Sequence, residues 1–87
     1  MAELYLPSTL PPLFAGLPRR LELEAATVAE ALDQLNDRWP GLRDRLCEPG
    51  PALRTHIHIY VDRERAALDT PVGERSRVDV ITAISGG

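Results

Sequence analysis

Apolar and polar residues alternate with a period of two in several short stretches of the chain, and recur with a helical period in one. Leu4 and Leu6 alternate with Glu3 and Tyr5, the pattern of a half-buried strand, and Pro7, Pro11 and Pro12 end it with a stiff connection. Gly16 and Pro18 mark a turn, after which residues 19–25 alternate again, with Leu21 and Leu23 against Arg20, Glu22 and Glu24. Two strands joined by a loop predict an antiparallel pair. Thr27 and Glu30 have the spacing of a capping box, and Val28, Ala31, Leu32, Leu35 and Trp39 then line one face of a helix that Pro40 stops. Residues 41–46 predict a short second helical turn with Leu42 and Leu46 inward, and Glu48, Pro49, Gly50 and Pro51 read as a loop.

Strand character is strongest over residues 55–62. Ile57, Ile59 and Val61 point one way and His56, His58 and Tyr60 the other, and a polar turn follows at residues 62–65. Residues 66–68 read as a short edge strand and residues 69–73 as a loop, and Val78 and Val80 alternate with Asp79 and Ile81 in a last strand. The order is ββαββ with a small strand before the last. It predicts an α+β domain over residues 1–81, a mixed sheet of four to five strands on one helix, followed by a flexible tail over residues 82–87.

Composition narrows the function more by exclusion than by assertion. The 87 residues suit one domain, and a net charge of −3 argues against nucleic acid as a primary ligand. No apolar run approaches the roughly 20 residues of a membrane span, and the first residues lack the pattern of a secretory signal, so a cytoplasmic protein without a membrane partner is expected. The single cysteine, Cys47, suits a reducing compartment. All ten basic residues are arginine; the chain contains no lysine. It therefore has no side-chain amine on which to build lysine-linked chains of itself.

Candidate chemistry is sparse. His56 and His58 share one face of a strand, but a zinc site needs three or four ligands and neither Cys47 nor a carboxylate is suitably spaced. Cys47 follows an apolar-periodic turn, where small buried thiols are common, and no charge pattern argues for a reactive thiolate. There is no glycine-rich phosphate loop, Ser/His/Asp pattern or acid/base carboxylate pair, so the chain is not expected to be an enzyme itself. What is left is the tail. Gly86 and Gly87 end the sequence, a pairing that arises by chance roughly once in 200 sequences. Here a hydrophobic strand runs straight into a polar end of six residues, which would span roughly 20 Å when straight. Two glycines at its tip lack Cβ atoms, so the backbone could thread a narrow channel and carry a carboxylate into a partner's buried site.

The run Ile57, His58, Ile59, Tyr60, Val61, Asp62, the run from Leu68 to Val72, and Val78, Asp79, Val80, Ile81 leading to Ala83, Ile84, Ser85, Gly86 and Gly87 together resemble one family. It is the MoaD/ThiS family, which contains the small subunit of molybdopterin synthase and the thiamine-pathway sulfur carrier. The resemblance covers essentially the whole chain. It implies a ubiquitin-like β-grasp fold in which the last strand lies between the first and the third. It also implies that an E1-like enzyme uses ATP to adenylate the Gly87 carboxylate, with Gly86 beside it. A sulfur donor would then convert the acyl-adenylate to a thiocarboxylate for a sulfur-accepting synthase, no cofactor being permanently bound. Tyr5, Ile81, Tyr60, His56 and His58 would share the face opposite the helix as a docking surface, extended by Ala83, Ile84 and Ser85. Ile81 is the strongest of these, an apolar residue at an outward position close to the tail.

Two features depart from the family. Thr82 and Ala83 stand where relatives often carry a proline, and residues 73–77 replace the usual Asp-Gly-Asp turn. The Ile57–Asp62 strand and the long connection between Trp39 and Arg54 resemble molybdopterin-type and cysteine-type carriers more than the shorter thiamine carriers. A ubiquitin-like modifier joined to target lysines through Gly87, and a plain β-grasp interaction module, are the alternatives.

Overall fold

The structure, a computed structural model, describes residues 1–49 and 52–82. Its first strand, β1 (Ala2–Tyr5), pairs antiparallel with β2 (Arg20–Leu23), Leu4 opposite Leu21 and Tyr5 opposite Arg20. β2 is shorter than the alternation over residues 19–25 predicts. The connection holds a 3-10 turn at Pro11–Leu13, where two prolines occupy positions that need no amide donor, and Gly16 supplies a left-handed φ of 78°.

Helix α1 (Val28–Arg38) begins as the spacing predicts: Thr27 is extended, and its Oγ1 accepts the Glu30 amide at 3.2 Å. The next free amides are met by a distant loop, Val28 N–H donating to the Thr70 carbonyl and Ala29 N–H to that of Leu68. The helix is thus clamped to residues 68–72 at its start, and the Thr27–Pro71 bridge and the Val72 amide on the Ala26 carbonyl complete the clamp. At its other end the Trp39 indole donates to the Ala15 carbonyl, and Asn36 Oδ1 accepts both the Gly41 and Arg43 amides. Gly41, with φ 94°, then turns the chain into α2 (Leu42–Leu46), the expected second helical turn.

Where a loop was expected, the chain forms a second, two-stranded sheet. β3 (Cys47–Glu48) pairs with β4 (Ala52–Leu53), residues whose brief length carries no periodic signal. β5 (Ile57–Val61) begins two residues later than its pattern, because Thr55 and His56 form the turn that enters it. Asp62 and Arg63 both adopt positive φ, 51° and 72°, and close a two-residue hairpin to β6 (Glu64–Ala66). The edge strand therefore lies before residues 66–68, sharing only Ala66 with them: the polar turn read over residues 62–65 takes only Asp62 and Arg63, so the strand starts at Glu64.

β7 (Arg77–Thr82) completes a five-stranded sheet of order β2-β1-β7-β5-β6, parallel to β1 and antiparallel to β5. This is the β-grasp arrangement. Its start is fixed by Asp62, whose carboxylate accepts from Ser76 Oγ at 3.0 Å and the Arg77 amide at 2.9 Å. Ser76 Oγ in turn accepts the Gly73 amide, so this clasp takes the place of the Asp-Gly-Asp turn. One face of the sheet packs on α1: Leu4, Ile59, Val78 and Val80 are buried against a core that includes Val28, Ala31, Leu32 and Leu35. Each fully buried side chain of this kind contributes about 1.5–3 kcal/mol. The core therefore fixes β7 in the middle of the sheet.

Candidate functional site

The site is built on the outward residues of the central strands and on the end of β7. Strand register arranges those residues in rows. Arg20, Tyr5, Asp79, Tyr60 and Arg65 stand opposite one another across all five strands, and Ile81 lies opposite His58 in the next row towards the end of β7. Ile81 is 46% exposed, whereas Val80 beside it in sequence is 3% exposed. Thr82, expected as the first tail residue, is still in the strand opposite Ile57. Ala83, Ile84, Ser85, Gly86 and Gly87 lie outside the described residues.

Tyr5 does not contribute an open apolar surface. Two guanidinium groups approach its ring, with Arg77 4.1 Å and Arg20 5.7 Å from its centroid. Its hydroxyl donates to Glu3 Oε2 at 3.0 Å, and that oxygen also accepts from Arg20 Nε and Nη2 at 3.0 and 2.6 Å. These bonds, chiefly those from Arg20, hold the Glu3 carboxyl below the usual carboxylate range. Arg77 Nε bridges both Asp79 oxygens, at 3.2 and 3.1 Å. The outer face is thus a charged collar around Tyr5, next to a less polar corner formed by Ile81 and His58.

Sequence reasoning missed this collar. Glu3, Arg20 and Arg77 each alternate outward in their own strands, but only the register of a parallel β1–β7 pair brings them together. Beside it, Tyr5, Leu6, Pro7, Arg19, Ile81 and Thr82 help line a groove of about 340 Å³ where β7 leaves the sheet. Pro7 ends β1 there, and β7 continues past its last β1 partner at Asp79.

The other sequence candidates are dispersed. His56 is exposed in the turn before β5, away from the row that holds His58. Among the described residues no three metal-ligating side chains come together. Cys47 is buried at the junction of α2 and β3, and burial pushes its thiol pKa up, outweighing the nearby Arg43 and Arg54. No described helix is long and apolar enough to cross a membrane.

A model of the ThiS family matches residues 13–87. The chain belongs to the ThiS family. Its members are ubiquitin-like sulfur carriers, in keeping with the resemblance drawn from the strand and tail motifs. Among solved structures, the BexX/CysO complex of Amycolatopsis orientalis matches at 25% identity over 100% of both chains, with a TM-score of 0.87. CysO of Mycobacterium tuberculosis, described as an antigen, matches at 21% over 97% of this chain and 100% of its own, with a TM-score of 0.84, a likeness of fold. SAMP1 of Haloferax volcanii matches at 30% over 99% of this chain and 98% of its own, with a TM-score of 0.75. Comparison with curated proteins gives no significant match. In this ThiS-family chain the central strand β7 runs to Thr82.

Proposed function

We propose that this ThiS-family chain carries sulfur on the carboxylate of Gly87. An E1-like enzyme joins that carboxylate to AMP from ATP, releasing pyrophosphate. Hydrosulfide released by a sulfur donor then attacks the acyl carbon, the C–S bond forms as the C–O bond to AMP breaks, AMP leaves with the bonding pair and the S–H proton passes to solvent, and the resulting thiocarboxylate passes to a sulfur-accepting synthase. A carboxylate is a poor electrophile and AMP a good leaving group, which is why ATP is consumed. The observation that carries this reading is the central strand β7. It runs unbroken to Thr82 and hands the chain to a five-residue tail ending in Gly86 and Gly87, within a sulfur-carrier family. Ile81, His58 and Tyr60, with Tyr5 inside its arginine collar, form the docking face, and Ala83, Ile84 and Ser85 extend it. The protein acts as a substrate of its partner enzymes in the cytoplasm, and the receiving pathway is of the molybdopterin or cysteine type.

Incubation with the cognate activating enzyme, ATP and a sulfur source should convert the terminal carboxylate to a thiocarboxylate, seen by intact mass as one oxygen replaced by sulfur. An unchanged mass with an activating enzyme verified to bind the chain sinks the reading. Deleting Gly87 should abolish charging and leave the circular dichroism spectrum unchanged.

The 30% identity to SAMP1, a small archaeal modifier protein by name, favours a second reading: transfer of the same adenylate to lysines of other proteins. Denaturing gels of native extracts separate the two, covalent adducts marking conjugation and free thioacid marking delivery.

A further inference from the structure

The five-stranded sheet has two edges, β2 and β6, and they are closed to different degrees. In an antiparallel pair alternate residues turn their N–H and C=O groups to the partner strand, and the residues between them turn theirs away. The Asp62 amide on the Arg77 carbonyl sets Tyr60 and His58 towards β7, so Ile59 and Val61 turn to Ala66 and Glu64 of β6. The Ala67 amide is taken by Thr70 Oγ1, and Arg65 alone in β6 turns its main chain outward. That edge is nearly closed.

The edge at β2 is open. The Leu6 amide on the Arg19 carbonyl sets the alternation there: Leu21 and Leu23 turn to β1, and Arg20 and Glu22 turn out. Both are exposed, and among the described residues no group meets their amides or carbonyls. An open edge is a template for another strand. The side chains say which strand fits. Glu22 stands directly opposite Glu3, whose carboxylate already holds Arg20, and among the described residues Glu22 forms no ion pair of its own. Leu21, on the other face of the strand, is only partly covered by the core.

A second β2 laid antiparallel on the first can match outward residues in three registers near its centre. Arg20 on Arg20 and Glu22 on Glu22 oppose like charges. The register centred on Leu21 sets Arg20 of each copy against Glu22 of the other. It forms four main-chain hydrogen bonds, gives each Glu22 a guanidinium directly across the strands and brings the two Leu21 side chains together. It also sets Pro18, which has no amide hydrogen, opposite Glu24, whose carbonyl already accepts from Gln34 Nε2. We propose that two copies of this chain join edge to edge through β2 in this register, their sheets becoming one continuous sheet about a two-fold axis at Leu21.

Sedimentation velocity of the full chain from micromolar to millimolar protein should show monomer giving way to dimer, a weak association because two short edges bury little area. Glu22→Arg sets arginine against arginine, Arg20→Glu sets glutamate against glutamate, and each should weaken the dimer roughly tenfold or more. Mixing the two variants restores both cross-strand pairs with their signs exchanged, so the mixture should dimerise close to the wild-type affinity. Circular dichroism reports whether each variant is folded. In the wild type, rising concentration should slow hydrogen exchange at the Arg20 and Glu22 amides and leave that at the Arg65 amide unchanged. A wild type that stays monomeric at millimolar concentration, or a dimer indifferent to both charge reversals, overturns the proposal. So does slowed exchange at Arg65 in place of Arg20 and Glu22, or a mixture of folded variants no more dimeric than either alone.

Discussion

The two faces of β7 use neighbouring residues of one strand for opposite purposes. Val78 and Val80 are 2% and 3% exposed and lock the strand to the helix side, while Arg77, Asp79 and Ile81 face away from it, Ile81 at 46% exposure. The inner face is interchangeable aliphatic packing; the outer face is a set of specific pairs, Glu3 with Arg20 and Arg77 with Asp79, around one tyrosine. A change inside should therefore cost stability, whereas a change outside should cost recognition with little effect on folding.

The sharpest way to break that contrast is Ile59→Ala. Ile59 is fully buried opposite Val80, and its truncation should destabilise the domain by about 2–5 kcal/mol, read from urea unfolding. A loss below about 1 kcal/mol would mean that the inner face does not hold β7. On the other face, Ile81→Asp should shift unfolding by no more than about 0.5 kcal/mol yet weaken binding to the activating enzyme roughly tenfold, measured by calorimetry. Equal binding by the two proteins would remove Ile81 from the docking face. Thr27→Ala tests the helix that covers the inner face. It removes the acceptor for the Glu30 amide and should cost about 1 kcal/mol, a moderate value because the loop carbonyls of Leu68 and Thr70 still hold the next amides.

The smallest effect concerns the collar. The Glu3 carboxyl sits below its ordinary range when folded, so its contribution is present above the unfolded pKa and is lost as pH falls through the folded one. Glu3→Gln should remove a slight acid-side slope from a stability–pH profile and leave the neutral and alkaline parts unchanged. Because the pair is exposed to solvent, the slope should shrink further in high salt.

The inner face was the legible part. Leu4, Leu21, Leu23, Ile57, Ile59, Val61, Val78 and Val80 declare their side by alternation alone, and the Thr27 cap and Pro40 bound the helix. The fold class followed from those positions. The outer face was half legible: alternation places Tyr5, Tyr60, His58 and Ile81 outward, but which of them stays open depends on cross-strand register. Tyr5 is approached by Arg20 and Arg77, which lie on different strands and far from each other in sequence. The two-residue length of the turn at Asp62 and Arg63, read over residues 62–65, and the β3–β4 hairpin escaped for another reason. Both are stabilised by their surroundings, through Ser76 and the Arg77 amide in one case and through the Arg54 contacts with Leu46 and Asp44 in the other. Local residue preference carries little of that information.

The position of β7 between a parallel and an antiparallel neighbour also has a mechanical consequence. Anything that draws the chain onward from Thr82 pulls along the strand axis, at right angles to the hydrogen bonds that join it to β5 and across the slanted ones to β1. The bonds on both sides are then loaded together in shear and are not unzipped one at a time. An edge strand in the same place would peel. Tension applied at the tail is thereby spread through the centre of the sheet, and the domain can serve as an anchor while its last residues are held in a partner.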